Sequence, residues 1–118
     1  PRPYLPIIQS IIELYKVWQR VLPHFPSSSR HTLGFRIDTL IIQIAEFLFA
    51  AGFMIDQKKI SVIERSSFKI DSIKFLLQLS WESKIINDKK YILLSKHVDR
   101  VGRQVGGWLK KLKQNSPL

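Results

Sequence analysis

A chain of 118 residues is about one domain, long enough to bury a sizeable apolar core. It has no cysteine, which removes disulfide and thiolate chemistry, and its three histidines, His24, His31 and His97, lack any zinc-ligand spacing. Nineteen basic residues against nine acidic ones give a formal net charge of +10, so an anionic partner is expected, nucleic acid before an acidic membrane surface.

The longest apolar run, residues 47–55, is too short to span a bilayer. The N-terminal stretch has neither the charged start nor the small-residue cleavage site of a signal peptide, and a cytoplasmic setting is expected. After an extended PRPYLP opening, Pro6 suits the first position of a helix over residues 5–22. Ile8, Ile11, Ile12, Tyr15, Trp18 and Leu22 follow on one side, with Gln9, Glu13, Lys16 and Arg20 on the other. Pro23 stops this helix, and Pro26 with three serines forms a connector that offers N-caps near Ser28 or Ser29.

The second predicted helix covers residues 29–54 and carries two apolar stripes. Leu33, Ile37, Leu40, Ile41, Ile44, Phe47, Leu48 and Ala51 make a face wide enough to line a bundle core. Phe35, Ile42 and Phe49 recur every seven residues on the opposite side, and on a surface helix they leave an exposed patch of a few hundred Å². That patch points to a subunit interface; the competing reading is a central helix surrounded within one subunit. The third helix, residues 58–86, repeats the pattern, with Ile63, Ile70, Ile73, Leu77 and Trp81 on one side and Phe68, Phe75, Leu79 and Ile86 on another.

A short break at Asn87-Asp88 leads into the last helix, residues 89–113, ahead of a frayed QNSPL tail. Here Lys89, Lys96, Arg100, Arg103 and Lys110 form one stripe, opposite Leu94, Val98, Val101, Val105, Trp108, Leu109 and Leu112. The stripe is the candidate phosphate-contacting surface, with Lys16 and Arg20 as weaker additions. Few aromatics are interleaved with it, so base stacking is not indicated. Gly102 and Gly106 each cost this helix roughly 1 kcal/mol relative to alanine. Close packing of another helix is the predicted compensation, and close approach of a phosphate backbone the alternative.

No strand pattern, repeat or low-complexity segment interrupts the helices, and the reading is an all-α, up-down antiparallel four-helix bundle. Nucleophile-base pairs, tuned carboxylate pairs, glycine-rich phosphate loops and HExxH are all missing from the sequence. The acidic residues fall one by one beside basic ones, as Asp71 does to Lys74 and Asp99 to Arg103. A non-enzymatic binding protein without cofactor or metal is expected.

Three features carry a resemblance along nearly the whole chain: Ser29-Arg30-x-Thr32-Leu33-Gly34, the Leu77-x-x-x-Trp81-Glu82 segment, and Val101-Gly102-x-x-x-Gly106-Gly107-Trp108. The sequence resembles the accessory variability determinant (Avd) proteins of bacterial and phage diversity-generating retroelements, which belong with the four-helix-bundle proteins encoded in intervening sequences of 23S ribosomal RNA. The resemblance implies a homopentameric barrel of four-helix protomers that binds the element's reverse transcriptase and nucleic acid. It also implies support for mutagenic copying of template-repeat RNA into cDNA. The rival readings are a helical protein–protein adaptor, a ribosome-associated intervening-sequence protein with no part in reverse transcription, and peripheral membrane binding through the last helix.

Overall fold

Helices account for nearly all of residues 4–115, the part of the chain described by a computed structural model. The extended opening predicted for residues 1–3 and the frayed end predicted for residues 116–118 lie outside the described residues. Helix α1, Tyr4–Val21, begins one residue before the predicted start, and Pro6 fits its first turn because it gives up only an N–H that has no helical partner. Its buried face is Ile7, Ile11, Leu14, Trp18 and Val21. Ile12, predicted for that face, is turned out, since Leu14 and Val21 recentre the apolar stripe away from it. Leu22 is not the last residue of α1 but the first of a 3-10 turn, Leu22–His24, around Pro23.

The predicted serine cap does not form. Helical backbone begins at Ser27–Ser29 with Pro26 in the cap position and no side-chain cap, and passes through a π-helical segment, Arg30–Gly34, into helix α2, Phe35–Ala51. The wide π turn is held by its surroundings. Arg30 Nη2 donates to the carbonyls of Phe25 and Pro23 at 3.1 and 3.4 Å, tying the connector down. Phe25 is buried edge-on against Trp18, ring centroids 5.4 Å apart. At Gly34 an added Cβ would stand 2.8 Å from Leu22 Cδ1, so any side chain there displaces Leu22. Indole Nε1 of Trp18 donates to Asp38 at 3.0 Å and joins α1 to α2. Helix α2 ends at Ala51, three residues before the predicted end, as the chain turns through Gly52.

Helix α3, Asp56–Glu82, starts two residues earlier than predicted and stops four earlier. Its end is a Schellman motif: Lys84 N–H donates to the Trp81 carbonyl at 3.0 Å, Ile85 N–H donates to that of Ser80 at 2.8 Å, and Lys84 sits at φ 63°. This reversal sends Ile86 into the core, not onto the outer stripe of α3, and leaves Trp81 exposed at the rim instead of in the core. Asn87 then caps helix α4, Asp88–Gln114, by accepting from the Lys90 N–H at 2.9 Å.

Each helix packs on its chain neighbours and α4 closes onto α1, giving four helices around one apolar core of Ile, Leu and Val with Trp18 and Phe25. Short connections between packed neighbours make them antiparallel. The described residues include no strand and no helix long and apolar enough to cross a membrane.

Candidate nucleic-acid interface

The bundle fixes which side of α4 meets solvent. Leu94, Val98, Val101, Val105 and Trp108 are buried, so the residues opposite them, Lys89, Lys96, Arg100, Arg103 and Lys110, are all exposed. Because α1 packs beside α4, Arg20 joins the same side: Arg20, Glu13, Lys96 and Arg100 all act on His97 in the α1/α4 seam. Burial and then the positive charge of Arg100 hold the His97 imidazole below the ordinary histidine pKa, with Lys96 and Arg20 in the same sense and Glu13 opposing.

Pairing divides the surface. On the α3 flank of α4, Lys113 bonds Glu64 at 2.8 Å and Lys74 approaches Asp99 at 3.8 Å, so cations there meet carboxylates from the neighbouring helix. Asp99 therefore pairs across helices, not with Arg103 one turn along as predicted, because Lys74 of α3 comes within reach. Lys16 keeps its helical partner Glu13 at 3.6 Å. Among the described residues Lys89, Lys96, Arg100, Arg103, Lys110 and Arg20 form no salt bridge. One flank of α4 is thus neutralised and the outer face is left cationic, with lysine and arginine heads free to meet an external anion.

The glycines separate in the same manner. A Cβ on Gly102 would make ordinary contact with Ile70 Cγ2 and Lys74 Nζ at 3.5 Å, so that glycine packs against α3. A Cβ added at Gly106 or Gly107 would meet no neighbouring helix or side chain within 4 Å, so within the protomer Gly106 does not have the packing role predicted for it. Gly106 lines an open groove with Leu109, Lys110 and Lys113.

The outer stripe of α2 is solvent-facing, Phe35 at 66% and Phe49 at 58% exposure, with Ile42 between them. Beside Ile42 runs an apolar groove of about 390 Å³ lined by Ile12, Tyr15, Ile42 and Ala45. Helix α3 carries a second such face, Phe68 at 76% and Phe75 at 61% exposure. Between these faces Phe47 lies under the cationic heads of Arg65 and Lys69, 5.3 and 5.8 Å from its ring centroid. Two residues of the surface were missed from sequence. Trp81 reads as core and Lys84 as helix interior unless the helix is ended early, and the Asn87 cap close behind them is the one local sign that it is.

No group of three or more histidines, aspartates or glutamates that could hold a metal ion occurs among the described residues. The family model described as bAvd-like matches residues 6–112, from the first turn of α1 to the last turn of α4. The chain belongs to the bAvd-like family. Neither a curated protein nor a solved structure matches it. Avd-type proteins are accessory and non-catalytic, and the family points to a diversity-generating retroelement. In this bAvd-like chain the match takes in both the unpaired cationic face of α4 and the two exposed aromatic faces of α2 and α3.

Proposed function

We infer that the protein is an accessory subunit of a diversity-generating retroelement whose α4 face binds the phosphates of template RNA and its cDNA, alongside the element's reverse transcriptase. The observation that carries this reading is the run of exposed, unpaired cations Lys89, Lys96, Arg100, Arg103 and Lys110, extended by Arg20 across the α1 seam; Lys16 is the weaker addition, since it pairs with Glu13 and borders the groove between α1 and α2. Each such cation that neutralises a phosphate releases a counterion, an affinity that is independent of sequence. This suits a subunit that must hold a cDNA whose sequence varies from one copy to the next.

We propose further that the protein works as a homo-oligomer, with the pentameric state that the resemblance to Avd proteins implies. The aromatic faces Phe35-Ile42-Phe49 and Phe68-Phe75 lie on different helices on neighbouring sides of the bundle. A surface patch that meets a different patch on the next copy gives a head-to-tail contact, which closes into a ring when the rotation between copies allows it. Such a ring repeats the α4 stripe once per subunit. The protein acts in the cytoplasm of the bacterial host and does not itself catalyse a reaction. The test is RNA binding by the whole protein with Arg100→Glu and Arg103→Glu introduced together. Weaker binding with an unchanged melting temperature is expected, and undiminished binding overturns the assignment of the face.

A further inference from the structure

Trp81 stands where the α3 reversal meets the start of α4, and one face and the N–H edge of its indole are engaged by neighbours. One face of the indole lies flat on Tyr91, centroids 4.5 Å apart and planes 4° from parallel. The N–H edge donates to Asp88 Oδ1 at 2.7 Å. The side chain is nonetheless 37% exposed, and it lines a depression of about 570 Å³ together with Lys84 and Lys89. That volume is within the usual range of small-ligand sites, about 300–1,000 Å³.

We propose that this depression takes an unpaired nucleobase, stacked on the free face of Trp81 as the third ring of a Trp81–Tyr91 pile, with Lys84 and Lys89 holding the flanking phosphates. An aromatic ring already locked by stacking and by its N–H bond presents its π-face with little further loss of freedom, and every base has a π-face to match. The two lysines outnumber the one carboxylate in the depression, and Asp88 is engaged by the indole. Lys89 is also the first residue of the α4 stripe, so a strand running along that stripe arrives at Trp81 with its phosphates already placed. A base-paired residue has no free face to offer, so the site selects single strands, which the stripe alone does not. This inference rests on the nucleic-acid reading of α4.

The test uses the wild-type protein, a short single-stranded oligouridylate, and an oligoadenylate–oligouridylate duplex of the same length. Trp18 is fully buried and Trp108 is 6% exposed, so contact quenching of indole fluorescence reports on Trp81. The single strand is expected to quench that emission and to shield it from iodide, while the duplex binds without doing either. Trp81→Leu is expected to weaken single-strand binding roughly 5- to 150-fold, the range found for losing one stacked base, and to leave duplex binding unchanged. Trp81→Phe, which keeps a ring on Tyr91, retains most of the affinity. Single-strand binding that saturates by anisotropy with Trp81 emission unchanged overturns the stacking site and leaves the cationic face standing. Absence of binding by either probe at low salt overturns both.

Discussion

Replacing Lys84 by glycine is expected to make the protein more stable. Lys84 is the one non-glycine residue among those described with a positive φ, at 63°, and it is held there by the two hydrogen bonds of the Schellman reversal, 3.0 and 2.8 Å long. An L-residue in this left-handed region gives up about 1–2 kcal/mol through the clash of its Cβ with the following carbonyl. Glycine avoids the clash but loses more backbone freedom on folding, about 0.5–1 kcal/mol. The lysine side chain is exposed and makes no hydrogen bond or ion pair among the described residues, so most of the difference, about 0.5–1 kcal/mol in favour of glycine, remains. For a chain of this size that is a rise in Tm of roughly 2–6 °C by circular dichroism. Lys84→Val, branched at Cβ, is expected to melt below wild type. A fall in Tm for Lys84→Gly, or equal melting of the glycine and valine variants, would refute the left-handed assignment and with it the placement of Ile86 in the core.

Trp18→Phe keeps a ring against Phe25 but strips Asp38 of its 3.0 Å indole donor, and a loss of about 1.5–3 kcal/mol in urea unfolding is expected; no loss at all would mean the bond is idle. Phe49→Asp places a carboxylate in the exposed α2 face and should yield smaller particles in light scattering, whereas an unaltered mass counts against that face as a subunit contact. His97 has a folded pKa below its ordinary 6.5, so the unfolded chain takes up the proton first and stability falls as pH drops through 6.5 toward the folded value. His97→Gln should flatten that part of the stability profile, measured by thermal melts between about pH 7.5 and 5, and an identical slope in the variant would contradict the burial of the ring beside Arg100.

The α4 stripe was legible from sequence because a long helix with Val98, Val101 and Val105 on one side fixes its own rotation, and the lysines and arginines opposite can only point out. The two apolar stripes of α2 were legible for the same reason, and Phe35, Ile42 and Phe49 are exposed on the side where the heptad places them. Rotation was misjudged in α1, where apolar residues cover more than half the circumference. Periodicity alone did not choose between Ile12 and Leu14, and packing against α2 and α4 did. The end of α3 was illegible because a left-handed cap is read from glycine or asparagine, and this one is a lysine. That single residue hid the rim position of Trp81 and the buried position of Ile86. Cross-helix pairing was likewise beyond a sequence reading: Lys74 with Asp99 and Lys113 with Glu64 depend on which helices lie side by side, and these pairs decide which flank of α4 is neutral.

Binding of nucleic-acid phosphates by the unpaired cations of α4, as proposed, releases counterions and makes affinity fall with salt. The most direct measurement is the affinity for single-stranded RNA across a salt series, for wild type and for the Arg100→Glu, Arg103→Glu double variant. Five stripe contacts per protomer give a slope of log affinity on log salt of about −3.5. Reversing two of the five should weaken binding and flatten that slope by about 1.4. A wild-type affinity indifferent to salt, or a double variant whose slope and affinity match wild type, would contradict the claim.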